Sequence, residues 1–427
     1  MDKKTYDTYV ALLKEELVPA LGCTEPIAIA YASARAREVL GCMPERVVLY
    51  CSGSIIKNVK GVTVPKSGGL KGIEVAAMLG IVGGDVSRGL EVLEPITQED
   101  IEKTKELIRQ GVCRYDLADN SENLYILADV ACGEHTAQVE IQSAHTNITR
   151  IVKDGEVLFA QDNVQTANLS GQEKLDKDLL NVKDILAFGD ELKIKDVEEA
   201  LNRQIEFNSA IAQEGLTNNY GVKVGKNLLE YCDKNDIRIR AKAMAAAGSD
   251  ARMSGCAMPV VINSGSGNQG MTVSLPVIEY AKEMQCSHEQ LIRALAVANL
   301  IALHQKRYIG ALSAFCGVVC AGAAAGAGIA YLHGAGYDEV CRTITNALGA
   351  VGGIVCDGAK PSCAAKIAAS VEAAILGWNL SRDGDAFADG EGLIKENVER
   401  TIESVTRMGR EGMKSTNTEI LNIMVGK

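Results

Sequence analysis

The chain has 427 residues, 47% hydrophobic and 23% charged, proportions that suit a folded enzyme of two or three domains and exclude extensive disorder. Its formal net charge is −11, and no run of lysine or arginine is interleaved with aromatics, which excludes nucleic acid as a partner held through phosphates. Thirteen cysteines in a chain too long to need stapling point to thiols that are free, bind metal or do chemistry in a reducing compartment.

The N-terminal stretch MDKKTYDTYVALLKEEL is a charged amphipathic helix with no apolar h-region, so it does not read as a signal peptide and a cytoplasmic location is expected. Apolar spacing predicts helices over 3–18 and 25–40, parted by the turn LGCTEP at 21–26. Pro26 suits a first helical position, which puts Cys23 at or just before a helix N-terminus. Strands are expected at 46–51 (RVVLYC) and 61–65 (GVTVP), with the polar turn CSGSIIKN at 51–58 between them and a helix near 72–81.

From about residue 88 the texture changes. A polar helix is followed by YILADVAC, HTAQVEIQS and TRIVKDGEVLFAQ, which alternate as antiparallel strands do, the last pair turning at Asp154 and Gly155. A polar connector spans 163–180. Helices are then predicted over 193–212, 221–248, 275–304, 310–333, 337–350, 362–376 and 390–409. The fold class that follows is α+β: a mostly helical catalytic domain from 1–87 and 163–427, with a small α+β insertion domain carrying an antiparallel sheet at 88–162.

No charged side chain occurs between Tyr308 and Tyr337, a length that raises the question of a membrane span. The stretch is built on alanine and glycine and has no partner segment for a bilayer, so a helix buried in a helical domain is expected and a membrane is not. Exposed small-residue helices are compatible with a homodimer.

Two cysteines seven apart, Cys356 and Cys363, flank a Gly/Pro turn that opens a helix in GIVCDGAKPSC at 353–363. Helix N-termini favour thiolates, and soft sulfur ligands select iron–sulfur clusters or zinc. Cys316 lies forty residues earlier, with Cys320 one turn beyond it. The spacing matches neither a short ferredoxin motif nor a zinc knuckle, so buried structural cysteines remain an alternative at this point. The loop NSGSGNQG at 263–270 offers backbone N–H groups and the polar side chains of Ser264, Ser266 and Asn268 to an anion. Lys57 and Asn58 in the 51–58 turn are further candidates for substrate binding. His135 and His145 read as satisfied strand histidines, and His288, His304 and His333 lack a helical partner at i+4. No HExxH, no Ser-His-Asp order and no phosphate loop of the G-x-x-x-x-G-K-S/T type occurs.

Read together, PALGCTEPIAIA, SGSIIKN, NSGSGNQG, AFCGVVCAG and GGIVCDGAKPSC resemble the L-cysteine desulfidase family, which is related to the α chain of the iron–sulfur L-serine dehydratases. The resemblance runs over essentially the whole chain. It implies a 4Fe-4S cluster held by Cys316, Cys356 and Cys363, with Cys320 still open in place of Cys316. The family pair has a longer interval and a direct Pro-Cys end, where this chain has Ser362 between Pro361 and Cys363. Cys23 corresponds to the family's remaining functional cysteine, either a general base or a fourth, displaceable iron ligand. The implied reaction is β-elimination of a small amino-acid substrate, L-cysteine to pyruvate, ammonia and hydrogen sulfide; loop chemistry and motif similarity make Lys57, Ser264, Ser266 and Asn268 candidates for binding its α-carboxylate, with Asn58 a further substrate-binding candidate.

Three rival readings stand beside it. L-serine dehydratase activity needs only a different leaving group. The segment SGSIIKNVKG also resembles the Schiff-base segment of pyridoxal-phosphate enzymes, but about two hundred residues separate it from the glycine loop and the alternating strand-helix pattern of that fold is missing. A non-catalytic iron–sulfur sensor or carrier would leave the polar loops unexplained.

Overall fold

The computed structural model describes residues 1–118, 123–161, 175–310 and 312–426. Most of the expected connector at 163–180 lies outside them. The strands are β1 (Pro19–Leu21), β2 (Arg46–Cys51), β3 (Cys113–Leu117), β4 (Tyr125–Cys132), β5 (His135–Gln142), β6 (Ile148–Lys153), β7 (Glu156–Ala160) and β8 (Pro259–Val261). Six of them form one sheet in the order β3-β2-β4-β5-β6-β7, and β1 pairs with β8 in a separate two-stranded sheet. The architecture is α+β, a mostly helical body beside this small sheet.

Period-two alternation makes the sheet one-sided. Ile126, Ala128 and Val130 of β4 and Ala137, Val139 and Ile141 of β5 are buried, and the helix Thr24–Leu40 packs on these strands. The β6–β7 turn has Asp154 at φ 49° and Gly155 at φ 82°, the two positive φ values of a tight hairpin turn. β2 and β3 run parallel, so the sheet is mixed rather than wholly antiparallel.

β2 lies between β3 and β4, in the interior of the sheet. The helices Thr24–Leu40 and Ile73–Gly83 belong to the same hydrophobic core, whose buried members run from Cys23 to Ile151 and include Met253 and Leu312 from later in the chain. The expected division at residue 88 is therefore corrected: most of the first 87 residues build the sheet-bearing core. A strand with few strand neighbours in sequence gave no sign that its partners came sixty residues later.

A second core holds the helices from Val182–Glu191 onward, together with Tyr9, Leu12, Leu13 and Leu17 of the N-terminal helix. At its centre is the alanine- and glycine-rich helix Val318–Leu332, buried from Val318 to Ala330. A Cβ on Gly322 would lie 2.9 Å from Ser370 of the helix Cys363–Arg382, so the small side chain sets the close approach of these two helices. No helix among the described residues is long and apolar enough to cross a membrane.

Several boundaries differ from the sequence reading. The helix expected over 310–333 begins at Val318, because Phe315 bridges to Val355 and holds the preceding segment extended. The expected 275–304 helix is two, Gly267–Glu283 and His288–Lys306, broken where Gln285 adopts φ 53°. Residues 61–65 form no strand, Thr63 making only an isolated bridge to Lys71, and the polar turn before them is the helix Gly53–Val59 capped by Ser52.

Candidate active site

Turns from distant parts of the chain meet around one cavity of about 90 Å³, partly open to solvent. Cys23 is the N-cap of the helix Thr24–Leu40, and β1 just before it pairs with β8 in the register Pro19↔Val261 to Leu21↔Pro259. The loop after β8 is thereby fixed beside Cys23, and the Thr24 hydroxyl donates to the Gly265 carbonyl at 3.0 Å. A wholly buried polar network supports that loop from behind. Asn208 Oδ1 accepts from the Val261 N–H at 2.9 Å, and Asn263 Nδ2 donates to Asn299 Oδ1 at 3.0 Å. Asn299 in turn donates to Gln204 Oε1 at 2.8 Å, so these amides satisfy one another.

The two cysteine segments are joined by backbone. Cys316 N–H donates to the Ile354 carbonyl at 3.0 Å, and Cys356 N–H to the Ala314 carbonyl at 2.6 Å, on either side of the Phe315↔Val355 bridge. Gly358 then turns the chain at φ 97°, and a Cβ there would sit 2.4 Å from the Lys57 carbonyl oxygen. Only glycine satisfies both conditions. Cys363 follows as the first residue of the helix Cys363–Arg382.

The electrostatics divide the thiols. A hydrogen bond from Cys316 brings the Cys356 thiol down to about 6 against the effect of burial, helped by Lys57, the Gly358 N–H and Lys366. That same bond, with burial, pushes Cys316 well up. Burial also raises Cys363. Cys23 is raised well above its ordinary value by burial and by Glu25, whose Oε2 accepts from its Sγ at 2.8 Å. Burial opposes ionisation of Glu25, but His145, the Cys23 thiol and Arg252 keep it net below its usual value. Asn58 Nδ2 donates to its other oxygen at 3.0 Å. The resting pair is thus a protonated Cys23 thiol hydrogen-bonded to a Glu25 carboxylate.

Of the residues singled out in the sequence, Cys23, Asn58, Ser264, Ser266, Asn268, Cys316, Cys356 and Cys363 all line the cavity. Cys320 does not; it is buried within the helix Val318–Leu332 and its pKa is raised to about 12 by burial. Lys57 does not line the cavity either, and its expected role as a carboxylate binder is corrected. Its ammonium donates to Asn417 Oδ1 at 2.7 Å and to the carbonyls of Cys356 and Ser313 at 3.1 and 3.3 Å. It fastens the cysteine turn from below. Among the described residues no three His, Cys, Asp or Glu side chains converge as ligands of a single metal ion.

Residues 87–422 match the family described as serine dehydratase alpha chain. The chain belongs to that family. It is 53% identical to a UPF0597 protein of Desulfitobacterium hafniense over 99% of this chain and 97% of that protein. UPF0597 proteins of Lachnoclostridium phytofermentans and Treponema denticola are 51% and 44% identical, over 98% and 100% of this chain and 100% and 99% of theirs. Within the serine dehydratase alpha chain match fall the 263–270 loop and all three cysteines that line the cavity with it, whereas Cys23, Glu25 and Asn58 precede it.

Among the cavity residues of this family member that sequence reading missed are Glu25, His145, Arg252 and Lys306. Glu25 sat inside the quoted motif but two residues from a cysteine that drew the chemistry. His145 reaches the cavity from the loop after β5, against Gly265, so it is no strand histidine. Arg252 had one faint signal, a charged residue just past the small-residue run at 245–249 of its helix.

Proposed function

We propose that this chain is an iron–sulfur-dependent lyase that eliminates hydrogen sulfide from L-cysteine, leaving pyruvate and ammonia. One observation carries the reading: in a chain of the serine dehydratase alpha chain family, Cys316, Cys356 and Cys363 border the same cavity as Cys23 and the 263–270 loop.

The thiols fit a cluster better than a single ion. Ligands of one zinc converge on a point, whereas cysteines of a cluster reach separate irons and therefore ring a space. Lys57, Lys306 and Lys366 lie close enough to these sulfurs to favour their charged forms, which suits a site that must hold several thiolates at once. Cys316, Cys356 and Cys363 would hold a 4Fe-4S cluster, which when bound supplies an open iron as a Lewis acid for the departing sulfur.

The remaining work falls to side chains. Elimination requires removal of the Cα proton, a role we assign to Cys23 Sγ, which lines the cavity. Its own proton is already directed at Glu25 Oε2, so the carboxylate receives that proton as sulfur takes the one from Cα. Ser264, Ser266 and Asn268 present polar atoms to the substrate from the loop wall. Aminoacrylate released from the site hydrolyses to pyruvate and ammonia.

The family description favours a second reading, dehydration of L-serine by the same residues. Anaerobic assays of iron-reconstituted protein with both amino acids separate the two. Equal amounts of sulfide and pyruvate from L-cysteine, requiring iron and abolished in Cys356→Ala, are the expected outcome. Pyruvate from L-serine alone would make the chain a dehydratase. Iron binding without product from either substrate would overturn the lyase reading in favour of a sensor or carrier.

A further inference from the structure

Arg252 is 2% exposed and lines the cavity, and its side chain makes no hydrogen bond or ion pair among the described residues; its Nε is buried without a partner. A guanidinium removed from water and left unpaired is strongly unfavourable, so its position implies an anion that arrives later. It lies against the start of the helix Gly267–Glu283, where a Cβ on Gly267 would be 2.4 Å from its Nε. That helix has no side-chain cap at Ser266, so its first N–H groups and its dipole face the same place.

Across the cavity the only carboxylate in the lining, among the described residues, is Glu25. The hydrogen bonds from Cys23 and Asn58 hold it back, and it forms no ion pair with Arg252 among the described residues. Each carboxylate oxygen keeps unused acceptor capacity after those bonds. Glu25 and Arg252 thus face one space, which Lys306 also lines, and are kept from collapsing onto each other. Asn58 Oδ1, His145 Nε2 and Asn268 Oδ1, all buried and unpartnered, surround them.

We infer that Arg252 and Glu25 form a clamp for the zwitterionic end of an α-amino acid, Arg252 with the Gly267 helix N-terminus taking the α-carboxylate and Glu25 the α-ammonium. The inference rests on the proposed lyase reading for the identity of the ligand class, and it adds the groups that restrict the site to free amino acids. A bidentate guanidinium suits a carboxylate, and each pairing is charge-assisted. The side chain of the substrate is then left to the cysteine wall.

The test is equilibrium binding to the iron-reconstituted full chain of L-alanine, which has no leaving group, of propionate, which lacks the ammonium, and of ethylamine, which lacks the carboxylate. Wild-type protein should bind L-alanine roughly 100-fold more tightly than either fragment. Arg252→Met should lose the preference for L-alanine over ethylamine while keeping that over propionate, with Arg252→Lys recovering part of it. Glu25→Gln should do the reverse. Ligand-free Arg252→Met should also melt higher than wild type, because an unpaired buried charge is gone, which distinguishes a binding role from a structural one. The clamp is overturned if wild type does not discriminate, if either variant loses both preferences together, or if Arg252→Met melts lower. Failure of the lyase reading is separate: it would show as absent sulfide and pyruvate with alanine binding intact.

Discussion

Arg252 and Asp250 sit two residues apart on the helix Ile237–Met253, both almost fully buried, and they illustrate opposite ways of placing a charge inside a protein. Asp250 accepts from the Gly225 N–H at 3.0 Å at the start of the helix Val224–Tyr231. Burial nevertheless outweighs the Gly225 and Val224 N–H groups and raises its carboxyl to about 6. A carboxyl raised on folding is held protonated by the native state at pH values where the unfolded chain has already ionised it. Its stabilising contribution is full below the unfolded value near 3.9 and is lost as pH rises through about 6. Urea midpoints for wild type and Asp250→Asn between pH 4.5 and 7.5 should show a wild-type decline of about 2 kcal/mol over that window that the variant lacks. Parallel curves would mean that Asp250 titrates alike in both states. At this scale the cysteines were legible because thiols near small residues and turns already suggest metal chemistry. Arg252 was not, since an arginine on an alanine-rich helix acquires meaning only when packing removes its water and supplies no partner.

Elements explain why spacing misjudged some local structure. The 310–333 segment reads as one helix on composition, and the helix yields its first turns because the Phe315↔Val355 bridge brings Cys316 beside Cys356. A long-range backbone pairing of that kind leaves no periodic trace. The same is true of β2, whose parallel neighbour β3 begins more than sixty residues later. By contrast the hairpin at Asp154 and Gly155 and the alternation in β4 and β5 are local, and sequence patterning is enough to place them. The tightest local demand is at Gly358, where a positive φ and contact with the Lys57 backbone coincide. Gly358→Ala should destabilise the protein by about 2 kcal/mol or more and reduce the iron bound per chain, since the displaced turn carries Cys356 and Cys363. Chemical denaturation and iron analysis check the two together; wild-type stability with full iron would show that the turn relaxes without moving its thiols.

On the scale of the whole molecule, the candidate site is built where two hydrophobic cores meet. Cys23, Glu25, Asn58 and His145 come with the sheet-bearing core, Arg252, the 263–270 loop, Cys316 and Cys356 come with the helical one, and Cys363, though first in a helix of the latter, packs against the former. A site so divided needs its halves held in register. Lys57 does this from the sheet side by donating to the Cys356 and Ser313 carbonyls, and the C-terminal helix Lys414–Val425 locks it through Asn417, whose Nδ2 donates to Ser54 Oγ at 3.1 Å. Lys57→Met preserves length and apolar bulk but strips the donor from three acceptors. The expected loss is about 2–4 kcal/mol, with Asn417→Ala losing less because the two carbonyl bonds remain. If the ammonium couples the cores, thermal unfolding of Lys57→Met should also separate into two transitions where wild type shows one, and the variant should bind L-alanine more weakly although Lys57 lies behind the cavity wall and does not itself line it. A variant that is destabilised yet still melts in one step with unaltered binding would confine Lys57 to local support of the cysteine turn. The register of the two halves would then depend on the β1–β8 pair and the Thr24–Gly265 hydrogen bond.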